Sequence, residues 1–238
     1  MTGASGPERV WQRRVSGHLA QASRHASVLD AAERARLAAF RAPAERDRYL
    51  VAHVAVRTLL GECLGIAPGA VRLTREPCTD CGGPHGRPVV ADATGVHFSL
   101  SHAGDLVVVA VAAVPVGVDV EELPPPAVVA RTAPAALHPG ELAALAALPE
   151  DERPAAFARC WTRKEAYLKA TGTGLNTDPT TVLAGAGTHP VAVPGWRVAD
   201  VPTLPGYAAA VAAHDPTDAP RPAHAPETAH EHHGKGPA

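Results

Sequence analysis

A chain of 238 residues has room for one large domain or two of about 100 residues, and its formal net charge of −2 argues against a general nucleic-acid-binding surface. Hydrophobic residues make up 46% and aromatics only 4%, so Ala, Val and Leu must fill the core. Four cysteines in so long a chain are no disulfide scaffold, the first residues hold no apolar signal region, and no apolar run reaches the roughly 20 residues of a membrane span, which together predict a soluble cytoplasmic protein.

Residues 1–26 are polar, Arg-rich and weakly patterned. Residues 27–40 predict an amphipathic helix with Leu29, Leu37 and Phe40 inward, and Asp30 with Glu33 forms a capping box at its start. A second helix is expected from Pro43 to Leu64, with the proline in its first turn. Arg46, Arg48 and Arg57 project from it. Such arginines form a solvated face or, because guanidinium forks match phosphate oxygens, an anion site.

A short strand is expected near Val71, followed by Cys78-Thr-Asp-Cys81-Gly-Gly-Pro-His85-Gly-Arg87-Pro88. The first half resembles a zinc knuckle, with Cys78, Cys81 and His85 as donors. A structural zinc site needs four ligands and no second C-x-x-C follows, so a Gly-rich turn with two reduced thiols is the stronger reading. Residues 96–114 then read as a hairpin with Ala-Gly-Asp at its turn. Ser101 and His102 stand at the loop end. Adjacent strand residues face opposite sides, so they make a poor nucleophile–base pair, yet both can donate hydrogen bonds to a phosphate.

Gly117-Val-Asp119-Val-Glu121-Glu122 is the strongest strand signal. Alternation puts Gly117, Asp119 and Glu121 on one face and Val116, Val118 and Val120 on the other. Two carboxylates on one face of a Val-rich strand repel each other and resist burial. A hard divalent cation removes that penalty, although a strand emerging into solvent would do the same.

Residues 123–155 read as a loop and then a helix near Gly140. A longer helix follows through Phe157, Trp161, Lys164, Glu165 and Lys169, and stops at Gly172 and Gly174. Glu165 and Lys169 are one turn apart, and taken alone they are a surface ion pair. Short strands are expected at residues 196–198 and 207–213. The Pro/His-rich stretch from 216 to 238 cannot bury a core and is expected to be disordered.

Four features, HGRP, FSLSHAGD, GVDVEE and WTRKEAYLKATGTGL, together resemble the 4'-phosphopantetheinyl transferases, and most nearly their larger, surfactin-synthetase-type class. The resemblance covers roughly residues 40–213. It implies an α+β fold of two similar α/β halves related by a pseudo-twofold axis, at about 1–114 and 115–215, with coenzyme A in the cleft. It implies Mg²⁺-dependent transfer of 4'-phosphopantetheine from coenzyme A to a serine of an apo acyl or peptidyl carrier protein, as in polyketide and nonribosomal peptide synthases. Mn²⁺ is an alternative metal.

The family's metal ligands map onto Asp119, Glu121 and Glu165, and Glu165 also takes the serine proton. Lys169 and Lys164 lie at phosphate, Ser101 and His102 match coenzyme A contacts, and Arg87 replaces the lysine of a G-K-P turn. Arg57 and Thr58 in VRTLLG, with Arg41, Arg46 and Arg48, are the candidates for the 3'-phosphate. The start of the Phe157 helix and the segment before it face the carrier, with Arg153, Arg159 or Arg163 meeting its acidic surface. A two-half chain is expected to act as a monomer, with neither nucleic acid nor membrane as partner. The rival readings are a magnesium-dependent nucleotide phosphohydrolase using the same carboxylates and a zinc-dependent nucleic-acid module built on Cys78 and Cys81.

Overall fold

The computed structural model describes residues 8–79, 81–84, 86–91, 93 and 95–218. His85 and nearly all of the expected disordered tail therefore lie outside the described residues. In chain order the elements are β1 (Arg9–Arg14), α1 (Val15–Arg24), α2 (Ala31–Ala39), α3 (Pro43–Leu64), β2 (Leu73–Arg75), β3 (Pro88–Val90), β4 (His97–Ala103) and β5 (Leu106–Ala112). Then come β6 (Val116–Glu122), α4 (Pro126–Ala136), α5 (Pro139–Ala146), α6 (Arg153–Thr171), β7 (Trp196–Asp200) and β8 (Tyr207–His214).

One topology occurs twice. A strand, three helices and two further strands make each half, and the last strand sits at the centre of its sheet. The orders are β1-β5-β4 and β6-β8-β7, all antiparallel. The third helix of each half covers the central strand, α3 on β5 and α6 on β8. The small hairpin β2-β3 is extra to the repeat. This is the α+β architecture of two similar halves that the family resemblance implies.

Period-2 alternation explains how the halves join. In β5, Val107, Val109 and Val111 face the helices of the first half, while Leu106, Val108, Ala110 and Ala112 pack with Val116, Val118, Val120, Ala209 and Val211 of the second. Both faces of β5 are buried, which is why its sequence is apolar throughout. The opposite face of the second sheet takes α6 on small residues, Ala166 and Ala170 against Ala210 and Ala212.

Local signals set the helix ends. Asp30 accepts from Glu33 N–H at 2.8 Å and Glu33 returns a bond to Asp30 N–H at 2.9 Å, completing the capping box of α2. Pro43 opens α3, and Gly172 closes α6 with a φ of 77°. Two expectations are corrected. Residues 1–26 are not unpatterned: they hold β1 and α1, because β1 gains its ladder from β5, about a hundred residues later. Residues 123–155 hold α4 before α5; Pro126 starts α4 and Pro134 lies within it, so prolines that read as loop belong to a helix.

Candidate active site

Between the halves, β4 lies against β6. Val118 N–H donates to Ser99 Oγ at 3.0 Å, and Ser101 Oγ donates to Asp119 Oδ1 at 2.7 Å. Gly117 sets what happens on the other side of β6. A Cβ there would stand 2.0 Å from Ala166 O and 2.5 Å from Ala170 N, so only glycine lets the α6 backbone come this close. That approach delivers Lys169 to Asp119: Nζ lies 2.5 Å from Asp119 Oδ1 and 3.1 Å from Ser101 Oγ. Lys169 thus pairs with the strand carboxylate instead of with Glu165 one turn away.

Asp119 is 3% exposed, and its Oδ2 and the Glu165 Oε1 are buried with no hydrogen-bond partner among the described residues. Orphaned buried carboxylate oxygens are costly in a folded protein and mark a place where positive charge belongs. Glu121 completes the cluster. Burial and the charge of Asp119 push its carboxyl up to about 7, with a further push from Glu165, against the opposing pull of Lys169 and a hydrogen bond from Trp161. Glu165 is raised by burial and by Asp119, with Lys169 pulling the other way. As the side chains stand, no group of three or more His, Cys, Asp or Glu among the described residues is gathered tightly enough to hold a metal ion. The donor chemistry nevertheless fits one: all-oxygen, anionic, half-buried and under-neutralised, as a hard divalent cation requires.

His102 leaves β4 on the face opposite Ser101 and is exposed, whereas Ser101 is buried. Desolvation lowers the His102 ring below its ordinary pKa, and the positive charges of Arg48, Lys169 and His53 lower it further. Arg48 reaches it from α3, where its Nε donates to Gly104 O at 3.0 Å. The same helix brings His53, which stacks on Tyr49 at 3.8 Å between ring centroids and binds Glu33 Oε1 through Nδ1 at 2.9 Å. Several cationic or protonatable groups close together are what a polyanionic phosphate ligand needs.

Other expected phosphate ligands hold parts of the fold together. Arg57 is 1% exposed; its guanidinium holds Glu33 at 2.5 Å, Asp30 at 2.6 Å and Val71 O at 2.8 Å. It ties α3 to the capping box of α2, and burial removes it from any solvent-borne anion. Thr58 gives its hydroxyl to Val54 O at 2.8 Å and lines a separate cleft beside α1. Lys164 is fully buried, 2.7 Å from Glu141 Oε2 and 2.7 Å from Pro179 O. There it fixes α5 and the segment after α6, and cannot touch phosphate. Arg87 spans from Glu76, at 2.7 and 3.0 Å, to Ala170 O at 2.8 Å. It docks the Gly-rich loop on the end of α6 with one hydrogen bond from each of its three nitrogens.

Among the expected carrier contacts, Arg163 is buried against Asp200 and the carbonyls of Gly185 and Gly187. Arg153 caps the end of α5 through Leu148 O and Ala146 O, and Arg159 is half-buried. Two contributors escaped the sequence reading. Trp161 holds Glu121, although its position one turn before Glu165 could have suggested this. Glu76 orients Arg87, and nothing local announces it. A cavity of about 340 Å³ opens beside Lys169, lined also by Arg87, Phe98, Ser99, Gly172 and Asn176. Cys78 lines it too and accepts from Asn176 Nδ2 at 3.4 Å, whereas Cys81 is exposed.

Comparison with known proteins agrees with this geometry. A family profile described as the N-terminal part of 4'-phosphopantetheinyl transferase matches residues 16–114, and one described as the 4'-phosphopantetheinyl transferase superfamily matches residues 115–190. The 4'-phosphopantetheinyl transferase HetI of Nostoc sp. is 32% identical over 194 residues, 79% of this chain and 79% of that protein. The 4'-phosphopantetheinyl transferase psf-1 of Bacillus pumilus is 39% identical over 138 residues, and Sfp of Bacillus subtilis 29% over 149 residues. These two alignments cover 57% and 60% of this chain, and 58% and 66% of the relatives. With a relative above 30% identity matched over most of its length, and the cleft between two repeated halves built from the residues described above, the chain belongs to the 4'-phosphopantetheinyl transferase superfamily and is an enzyme of that family.

Proposed function

We propose that this enzyme takes 4'-phosphopantetheine from coenzyme A and places it on a serine hydroxyl of an apo carrier protein, with adenosine 3',5'-bisphosphate as the leaving product. The serine Oγ–P bond forms as the P–O bond of the pyrophosphate breaks. The observation that carries the reading is the pair of orphaned oxygens, Asp119 Oδ2 and Glu165 Oε1, buried beside Lys169 in the cleft between the halves. Asp119, Glu121 and Glu165 would hold Mg²⁺ or Mn²⁺, which when bound neutralises pyrophosphate charge.

The chain's own groups do the rest. Glu165 Oε1, which has no hydrogen-bond partner among the described residues, accepts the serine proton, and burial together with the charge of Asp119 makes that carboxylate a stronger base than a free one. Lys169, held by Ser101 and Asp119, keeps an ammonium against the pyrophosphate and stabilises the departing bisphosphate. Arg48 and His102 take the peripheral phosphate of the nucleotide. The division of labour falls at about residue 114, with coenzyme A phosphate contacts before it and carboxylates after it, and the two family matches meeting at residues 114 and 115 support that boundary. One chain supplies both halves, so the cleft needs no second copy, and a monomer suffices. No helix among the described residues is long and apolar enough to cross a membrane.

The test is direct. The enzyme is incubated with coenzyme A, Mg²⁺ and an apo carrier protein, and the carrier is weighed by mass spectrometry. A gain of one phosphopantetheine group that disappears in chelator supports the reading. Release of nucleotide without any gain, across several carrier classes, would replace it with phosphohydrolase activity.

A further inference from the structure

A cleft in the first half is separate from the carboxylate site. It measures about 400 Å³, within the roughly 300–1,000 Å³ of small-molecule sites, and none of Ser101, His102, Asp119, Glu165 or Lys169 lines it. It exists because α1 and α3 face each other across small side chains. From α1 and its C-cap come His18, Gln21, Ala22 and His25, spaced i, i+3, i+4, i+7, and from α3 come Val51, Val54, Ala55, Thr58 and Glu62 in the same rhythm. Ala22 and Ala55 are too short to close the gap between two helices. Trp11 and Arg13 of β1 line it as well.

The cleft has an apolar interior and a polar margin in which Arg13 is the fixed cation. Arg13 carries a permanent charge, and its Nη1 donates to Gln12 O at 2.9 Å, which leaves the rest of the fork for a ligand. His18 and His25 each place Nδ1 2.9 Å from a carbonyl one turn back, Arg14 O and Gln21 O. A carbonyl can only accept, so Nδ1 carries the proton and Nε2 is the nitrogen left for other contacts. The Thr58 hydroxyl is committed to its own helix, and Glu62 is the sole acidic side chain in the lining.

We propose that this cleft binds a single-headed amphiphile, a medium-chain carboxylate, with its apolar chain between α1 and α3 and its head on Arg13. The open fork of Arg13 and the apolar interior select this occupant over a neutral lipid or a nucleotide. The reading is independent of the transfer chemistry, since it uses no residue of that site.

The test titrates the full-length protein with decanoate below its micelle concentration, followed by calorimetry and by fluorescence of Trp11, with a Trp11→Phe control. One saturable site per chain is expected. Arg13→Gln should weaken decanoate at least tenfold while leaving decanol binding unchanged, and Ala55→Phe, which fills the cleft, should abolish both. Arg13 lies at the cleft margin on an edge strand, so that variant keeps the test decisive even where Ala55→Phe fails to fold. Absence of saturable binding, binding only above the micelle concentration, or equal decanoate affinity in Arg13→Gln would overturn the proposal.

Discussion

Replacing Glu121 by glutamine removes a charge that the folded protein holds at a cost. The carboxyl rises from 4.5 to about 7 because it is half-buried beside Asp119 and Glu165. At about 1.36 kcal/mol per pH unit, that penalises the folded state by about 3 kcal/mol at neutral pH, and partial solvent screening brings the expectation down to about 1–2 kcal/mol. The sign follows from linkage. An acid whose folded pKa is raised binds more protons when folded, so the penalty is absent below the unfolded value near 4.5 and grows as pH rises to about 7. Glutamine keeps the shape and still accepts the Trp161 hydrogen bond. In chelator at pH 7.5 the variant should therefore melt about 2–8 °C above the parent, with the difference gone near pH 4. Transfer should nonetheless be lost. A variant that melts lower at pH 7.5, or whose gain persists at pH 4, would show that Glu121 is not strained by its neighbours.

Lys169→Ala should cut kcat by about 10²–10³-fold, and because it leaves Asp119 without its counter-charge, millimolar Mg²⁺ should raise its Tm more than that of the parent; equal metal responses would argue against a shared role. Arg57→Ala should cost about 3–5 kcal/mol in urea denaturation, since it takes the guanidinium away from the buried Glu33 carboxylate. Full stability together with lost coenzyme A affinity would instead return Arg57 to the phosphate site. Gly117→Ala should cost about 1–3 kcal/mol and abolish transfer, because the new Cβ would lie 2.0 Å from Ala166 O and must push α6, with Glu165 and Lys169, away from β6. Unchanged kinetics in that variant would mean that α6 is not positioned by this contact.

Local chemistry made much of the framework legible. The Asp30–Glu33 capping box, Pro43 at the start of α3, the alternation of β6 and the glycine stop of α6 are signals written within a few residues, and each element follows them. Asp119 and Glu121 could be singled out for the same reason, since acids on one face of a Val-rich strand break the ordinary pattern, whereas Glu165 joined them only through the family resemblance. By contrast, β1 was invisible because a strand that pairs with β5 draws its stability from residues far away.

The chain by itself determined the alternation of β6, with Asp119 and Glu121 on one face, and the ends of α2, α3 and α6, while the two halves and the place of Glu165 beside those acids came from the family resemblance. Tertiary structure decided which cations reach the cleft. Arg48, Arg57, Lys164 and Lys169 look alike in sequence, each a basic residue on a helix. Arg57 and Lys164 are buried on Glu33 and Glu141, while Arg48 and Lys169 reach Gly104 and Asp119 at the cleft. The difference lies in where a distant carboxylate waits as the helices pack. A long cationic side chain buries only where such a partner desolvates with it, and that pairing is not encoded in any local pattern.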